Sequence, residues 1–168
     1  MVSFAATRPV NPAGAASPVI SAAQLWAGLE YKARNPERFV PQITACRIVH
    51  QDEGKLTRIV RFGDSSPEMK EEVQFFPNTI VYFEMSPVEP LAPSSSPSTT
   101  PVRITNLVSY GPPPSNDLLL SFSFAPRMPH VGDDEARGMS DAELNERVGK
   151  GVEGTIDLIR KMVRDGEL

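Results

Sequence analysis

The sequence predicts an α+β fold in which a curved antiparallel sheet of about seven strands wraps around one long C-terminal helix. Two observations predict it. Between residues 44 and 126, apolar and polar residues alternate with the period of two that is typical of strands. Near the end of the chain, apolar residues recur at helical spacing behind a capping box. The 168 residues are enough for a substantial core, and we expect a single domain over 1–168.

The N-terminal part of the chain predicts one strand followed by a pair of helices. The strand lies within residues 2–7, and the prolines and the glycine after it mark a loop. Ser21 is a candidate N-cap, because apolar residues follow it at helical spacing. The pair Asn35-Pro36 interrupts this pattern, since a residue before proline rarely stays helical. Apolar residues at 39, 40 and 43 resume the spacing and predict the second helix.

Six strands are predicted in the middle of the chain, at 45–51, 56–62, 71–76, 79–85, 102–110 and 118–125. Turn-forming residues separate the first four strands at short intervals, so these strands should form hairpins within an antiparallel meander. The connection over 86–101 differs, because it holds five prolines, five serines and two threonines without an apolar pattern. We expect this segment to be a flexible surface insertion.

The last predicted element is a helix of about 25 residues, roughly 37 Å long. It begins at the capping box of Ser140 and Glu143 and has Gly166 as a candidate C-cap. Glycines at 149, 151 and 154 match the dinucleotide-binding spacing, but they lie inside this helix and do not follow a strand. Because each glycine weakens a helix, we expect them to allow a close approach to the sheet or to leave room for a ligand.

Charge and composition exclude several function classes. The net charge of −4 arises from 133–168, which holds 10 acidic and 6 basic residues, and the rest of the chain balances at 11 against 11. No basic stripe for nucleic acid is present, and no apolar run approaches the roughly 20 residues of a membrane span. Cys46, His50 and His130 do not have metal-ligand spacing. We therefore expect a soluble, cytoplasmic protein without a metal or cofactor.

Five segments carry a resemblance to a known family. They are Gln24-Leu25-Trp26-Ala27-Gly28-Leu29, Lys32-Ala33-Arg34-Asn35-Pro36, Phe39-Val40-Pro41, Thr105-Asn106-Leu107-Val108-Ser109-Tyr110 and Val152-Glu153-Gly154-Thr155-Ile156-Asp157-Leu158-Ile159-Arg160. Together they resemble the AtaL-like family of the START/Bet v 1-like (SRPBCC) superfamily, over nearly the whole chain except 86–101. The resemblance implies a helix-grip fold and a small-molecule binder, in some members linked to secondary-metabolite gene clusters. The segment 124–130 departs from the family, because it lacks the expected acidic and aromatic residues before Arg127.

Four polar residues share strand phases that otherwise point to the interior, and they are the candidates for catalysis: Arg58, Glu71, Tyr82 and Asn106. Because buried charges need partners, Arg58 and Glu71 could form a cross-strand ion pair with no part in binding. Alternatively, Arg58 could hold a ligand carbonyl or carboxylate while Glu71 orients it or acts as a base. Tyr82 could pack or donate to an enolate-like oxygen, and Asn106 could satisfy a bulge or anchor the ligand.

The same strand phases and the stripe of the last helix predict which residues line a cavity between sheet and helix. His50 is included as facing either the ligand, for proton transfer, or solvent. The predicted lining residues are His50, Val60, Phe62, Val73, Phe75, Glu84, Val108, Tyr110, Leu120, Phe122, Val152 and Ile159.

The sequence favours a protein that encloses a hydrophobic small molecule, of polyketide- or isoprenoid-like type, as a cyclase- or isomerase-like enzyme. No Ser-His-Asp order or phosphate loop is present, so catalysis would rely on holding and polarising the ligand. Two alternatives remain open. One is a non-catalytic carrier or sensor, and the other is a protein-interaction module that uses 86–101, where the proline spacing resembles polyproline II. The oligomeric state is left open.

Overall fold

The computed structural model describes residues 2–88, 100–115, 117–129 and 133–168, with only the backbone described at position 133. Most of the segment predicted as an insertion, and His130, lie outside the described residues. The elements in chain order are β1 (Phe4–Pro9), α1 (Ala22–Arg34), a 3-10 turn (Pro36–Arg38), β2 (Ile43–Asp52), β3 (Lys55–Phe62), β4 (Glu68–Phe76), β5 (Ile80–Pro87), β6 (Val102–Tyr110), β7 (Leu118–Ala125), α2 (Asp133–Gly138) and α3 (Asp141–Arg164).

The seven described strands form one antiparallel sheet in the order β1-β7-β6-β5-β4-β3-β2. Strands β2 to β7 pair with their neighbours in the chain, as the predicted meander requires, and β1 closes onto β7. The long C-terminal helix α3 packs on β1, β7 and α1. The predicted α+β class is therefore confirmed.

The two helices that flank the sheet begin as their sequences predict. Ser21 caps α1 in a capping box with Gln24, and Ser140 caps α3 in the same way with Glu143. The second helix of the predicted pair is wrong in extent, because only the 3-10 turn Pro36–Arg38 forms after α1. Asn35 leaves the helical region with φ of −134° and ψ of 61°, as expected for a residue before proline.

The pairing of β2 with β3 has two register shifts, between Ile43 and Ala45 and between Ile48 and His50, and the second changes the face to which His50 points. Along β2, Cys46 and Ile48 lie opposite Val60 and Arg58 of β3, but a register shift follows, and His50 then lies opposite Thr57. A shift of one residue reverses the face to which every later side chain points. His50 therefore shares the face of Thr57, opposite to the face of the buried Arg58 and Leu56.

Two glycines mark where helices come into close contact with their neighbours. A Cβ at Gly28 of α1 would lie 2.5 Å from Ile159 Cγ1 of α3, and a Cβ at Gly149 would lie within the space of the Arg8 guanidinium. The Arg8 side chain crosses α3 there, with Nε donating to Glu153 Oε1 at 2.5 Å. The expected close approach of α3 to the sheet thus holds at Gly149. Among the described residues, no helix is long and apolar enough to cross a membrane.

Candidate functional site

A cavity of about 850 Å³ lies between the sheet and α3. Its volume falls within the range of small-molecule sites. Six strands (β2 to β7), the end of α1 with the segment that follows it, and one side of α3 contribute to it. Its apolar lining residues are Phe39, Val40, Pro41, Ile43, Phe62, Phe83, Ile104, Phe122, Phe124, Met128, Pro129, Val148 and Leu158.

Small residues on α3 keep this space open. Gly151, Gly154 and Thr155 form part of the helix wall of the cavity. A Cβ placed at Gly151 or at Gly154 would meet no atom within 4 Å. These two glycines therefore leave room beside the helix, which is the second of the two roles that the sequence predicts for them.

Four polar side chains border the cavity at one place, and we call them the polar cluster: Lys32, Arg58, Glu71 and Asn106. All four are buried, with exposed fractions between 1% for Asn106 and 8% for Lys32. They come from α1, β3, β4 and β6, so no two of them belong to the same element. Burial of this kind is tolerated only where the polar groups satisfy one another.

Arg58 connects the sheet to the end of α1. Its Nε donates to Glu71 Oε2 at 2.6 Å, and its Nη2 lies 2.5 Å from the same oxygen. Its Nη1 donates to the carbonyl oxygens of Lys32 and Ala33, which belong to the last turn of the helix. The helix carbonyls that lack intrahelical partners are thereby satisfied. Most of the donors of Arg58 are engaged within the protein, so this side chain fixes the position of α1.

The Lys32 side chain extends from α1 to contact β6 and β7 of the sheet. Its Nζ donates to Asn106 Oδ1 at 3.0 Å and lies 3.8 Å from the ring centroid of Phe122. The pKa of Lys32 is lowered from 10.5 to about 7, chiefly by burial and also by the nearby Arg58 charge, against the opposing effect of Glu71. A considerable fraction of the Lys32 side chains is therefore a neutral amine at neutral pH.

Cationic residues surround the part of the cavity that reaches the surface. Arg38, Arg147 and Lys150 line the cavity and are partly exposed. Each is paired with a glutamate, at N–O distances of 2.8, 2.6 and 3.1 Å respectively. The charge at the mouth is thus largely balanced by the protein, in contrast with the interior.

The structure brings together five of the residues that the sequence singles out: Arg58, Glu71, Asn106, Phe62 and Phe122 line the cavity. The predicted orientation of six further residues is correct, but they are buried behind the cavity wall and do not line it. These are Val60, Val73, Val108, Leu120, Val152 and Ile159. Phe75 is half-buried and also lies outside the lining.

The predicted inward orientation of three residues is wrong, and a fourth keeps the predicted strand phase but is exposed. Tyr82 and Glu84 lie on the opposite face of β5, because Val81, Phe83 and Met85 are the buried residues of that strand. His50 is turned outward by the register shift in β2, and its exposed ring contacts Asp52 at 2.5 Å. Tyr110, at the end of β6, is 60% exposed. None of these four lines the cavity.

Lys32 is the member of the polar cluster that the sequence did not predict, and most of the apolar lining, such as Phe83 and Phe124, was not predicted either. A signal for it exists, because Lys32 follows Leu25 and Leu29 on the buried stripe of α1. A lysine on an apolar stripe is unusual enough to suggest a function. In the described part of the chain, no group of three His, Cys, Asp or Glu side chains could hold a metal ion.

Solved structures share this architecture at low sequence identity. The di-domain ARO/CYC StfQ from the steffimycin biosynthetic pathway matches with a TM-score of 0.58 and 13% identity, over 99% of this chain and 52% of that one. The present chain therefore spans about half the length of StfQ. The Zhui aromatase/cyclase from Streptomyces sp. R1128 matches with a TM-score of 0.52 and 13% identity, over 96% and 94% of the two chains.

A third match is Ara h 8.0201, with a TM-score of 0.55 and 10% identity, over 94% of this chain and 96% of that one. Such likenesses show the fold, which is the helix-grip fold of Bet v 1-like proteins. No curated protein matches the sequence. The family model described as acetylaranotin biosynthesis cluster protein L matches residues 4–166. The chain therefore belongs to the AtaL family.

Proposed function

We propose that this chain binds a hydrophobic small molecule, of polyketide- or isoprenoid-like type, in the cavity and acts on it as a cofactor-independent cyclase or isomerase. The observation that carries the proposal is the buried polar cluster, which borders a cavity whose other buried lining residues are mostly apolar. A cavity that served only packing would not need four buried polar groups, each of which costs free energy to desolvate.

The apolar walls supply the binding energy. Aromatic rings from two strands, Phe83 of β5 and Phe122 and Phe124 of β7, face the same space. Burial of a ligand against them removes apolar surface from water, at about 25 cal/mol for each Å². The walls also restrict a flexible chain to few conformers, which lowers the entropic part of the barrier to ring closure.

The polar cluster supplies the chemistry at one end of the ligand. Asn106 accepts from Lys32 through Oδ1, so its Nδ2 remains a donor for a ligand oxygen. Both contacts of Arg58 with Glu71 go to Oε2, so the second carboxylate oxygen remains an acceptor. A donor and an acceptor that border the same cavity can stabilise an enolate-like oxygen and shuttle a proton.

The comparisons support the same proposal at a coarser level. The family description names a biosynthesis cluster protein, and two structural neighbours are described as ARO/CYC or aromatase/cyclase proteins. Those descriptions concern the related proteins, and the identity of the ligand of this chain is part of the proposal. The cytoplasmic location and the interaction role of 86–101 stay predictions.

Ligand exchange and a cavity-filling variant test the binding part. Native mass spectrometry of the purified protein should show a co-purifying apolar compound, which fluorescence displacement by a naphthol-type probe should release. Gly154→Phe places a ring in the cavity and should weaken probe binding about tenfold or more. Gly138→Phe is the matched control, because Gly138 is exposed and outside the lining, and it should bind as the wild type does. Equal binding by both variants would contradict the proposal.

A comparison of the wild type with a Glu71 variant tests the proposed catalytic activity. Glu71→Gln keeps the shape of the side chain but removes its charge and most of its basicity. If the cluster transfers protons, this variant should still bind the co-purified compound or its precursor but should convert it at least about tenfold more slowly. Recovery of the compound unchanged from the wild type, under all conditions, would identify a carrier instead of an enzyme.

A further inference from the structure

Lys32 differs in its surroundings from the other lysines of the chain. Its Nζ lies in the cavity and is held by one hydrogen bond to Asn106 Oδ1, and an aromatic face covers another side of it. Other lysines are exposed or form ion pairs at the surface, as Lys150 and Lys161 do. Lys32 has no carboxylate within ion-pair distance among the described residues. The hydrogen bond to Asn106 therefore positions the amine, but no carboxylate forms an ion pair with it.

We propose that Lys32 is the reactive amine of this cavity and forms a covalent bond with a ketone or 1,3-dicarbonyl ligand. The inference rests on the proposed function in one respect, that a carbonyl-bearing small molecule enters the cavity. It goes beyond it by assigning the chemical class of the ligand and the atom that reacts, Nζ.

The reaction is a condensation that needs no oxidant or reductant. The lone pair of the neutral Nζ attacks the carbonyl carbon, and the oxygen takes up a proton to give a carbinolamine. The nitrogen gives up one proton in this step. A proton from solvent then lets the hydroxyl leave as water, and the nitrogen lone pair forms the C=N bond of an iminium. With a 1,3-dicarbonyl compound, loss of a proton from the carbon between the two carbonyls gives a neutral enaminone. One amine and one diketone thus yield one adduct and one water.

The surroundings of Nζ fit both stages of this reaction. The neutral amine is the nucleophilic form, and burial favours it. The iminium carries a positive charge, which the face of Phe122 and the carboxylate of Glu71 can stabilise. Asn106 Oδ1 accepts one N–H of Lys32 and so restricts the rotation of the amine. Arg58 donates a hydrogen bond to the backbone carbonyl of Lys32, which fixes the backbone from which this side chain extends.

Several charged groups set the pH at which the amine reacts. Arg58 of β3 opposes protonation of Lys32, and Glu71 of β4 favours it. Asn106 of β6 and Phe122 of β7 are neutral. The remaining cations around the cavity are Arg38, Arg147 and Lys150, each paired with a glutamate.

Labelling with 1,3-diketones tests the assignment directly. The protein is incubated with acetylacetone and with the larger 1-phenylbutane-1,3-dione, and the adduct is detected by intact mass and by the near-ultraviolet absorbance of an enaminone. We expect one adduct per chain, with the mass of the diketone less one water, which peptide mapping assigns to Lys32. The labelling rate should rise with pH around a midpoint near 7 and not near 10.5.

Variants separate the cavity amine from other lysines. Lys32→Met and Lys32→Arg should lose the adduct, whereas Lys161→Met, on the surface of α3, and Lys55→Met, on the surface of β3, should keep it. Because the wild-type protein is mapped directly, the result does not depend on whether the Lys32 variants fold.

The outcomes distinguish this inference from the proposed function. If the diketones displace the naphthol-type probe but leave Lys32 unmodified, the covalent role is overturned and the binding function stands. If acetylacetone labels Lys32 but no apolar compound binds, the reactive amine stands and the proposed function fails. Labelling spread evenly over Lys55, Lys150 and Lys32 would overturn the assignment of a special amine.

Discussion

The two sides of α3 face the same sheet but differ in how they fill the space. The packed side consists of Val152, Ile156 and Ile159, which are buried against the core. The cavity side consists of Gly151, Gly154, Thr155 and Leu158, which border the cavity.

The difference shows how one helix can both stabilise the fold and leave a binding site. On the packed side, even a glycine of α1 is needed so that Ile159 can fit, since a Cβ at Gly28 would lie 2.5 Å from that side chain. On the cavity side, a Cβ at Gly154 would contact nothing within 4 Å. The free energy of folding thus comes mainly from one side, because only that side removes large apolar surfaces from water.

The largest expected effect concerns the polar cluster that borders the cavity side. Arg58→Met removes the partner of a buried carboxylate and the donor to the end of α1, so the free energy of unfolding should fall by about 3–5 kcal/mol. The double variant Arg58→Met with Glu71→Met should recover much of this loss, because neither charge is then left unpaired. Urea unfolding at pH 7, followed by Trp26 fluorescence, measures both values. A loss below about 1 kcal/mol in the single variant would show that the pair contributes little.

Adjacent residues on the two sides of α3 should differ in their cost of truncation. Ile159 is fully buried, so Ile159→Ala should lower the free energy of unfolding by about 2–5 kcal/mol. Leu158 is half-buried beside the cavity, and Leu158→Ala should cost less than about 1.5 kcal/mol, because its side chain already lacks contacts on one side. Equal costs in urea unfolding would contradict the distinction between the two sides.

The pH dependence of stability reports on Lys32. Its pKa is about 7 in the folded protein and 10.5 ordinarily, so between these values the unfolded chain binds a proton that the folded chain does not. Stability contributed by this group therefore rises with pH through that window and is lowest below pH 7. Relative to Lys32→Met, the wild type should gain about 2 kcal/mol between pH 7 and pH 9. Parallel curves for the two proteins would show that the amine titrates normally.

The smallest expected effects come from glycine replacements. Gly154→Ala should raise the free energy of unfolding by about 0.5–1 kcal/mol, because alanine favours the helix and the cavity accepts the methyl group. Gly28→Ala should instead lower it by about 1–3 kcal/mol, since the added methyl group overlaps Ile159. Thermal unfolding of the two variants measures this contrast. A stabilised Gly28→Ala would mean that the packed side has unused space.

The local pattern of the sequence predicts most of the fold and part of the site. Alternation along β3, β4 and β6 places Arg58, Glu71 and Asn106 inside, and the structure has all three beside the cavity. The same reasoning fails on β5, where both faces carry large apolar residues and the period alone does not choose between Tyr82 and Val81.

Register shifts and long-range contacts account for what the pattern misses. No pattern in the residues of β2 indicates that its pairing register with β3 shifts between Ile48 and His50. Lys32 and Asn106 are 74 residues apart in the sequence, and their hydrogen bond depends on how α1 docks over the sheet. The sequence shows that Lys32 lies on an apolar stripe, but it does not show what the stripe faces.

The sequence by itself determined the order of the elements, the caps of both long helices and the alternation of the strands, because these depend on residues near one another in the chain. Only the tertiary structure decided that one side of α3 is packed and the other borders a cavity. It also brought an amine, a guanidinium, a carboxylate and an amide from four elements together. The physical reason is that burial and the electrostatic effects on a lysine arise from groups distant in sequence, and only folding fixes their separation.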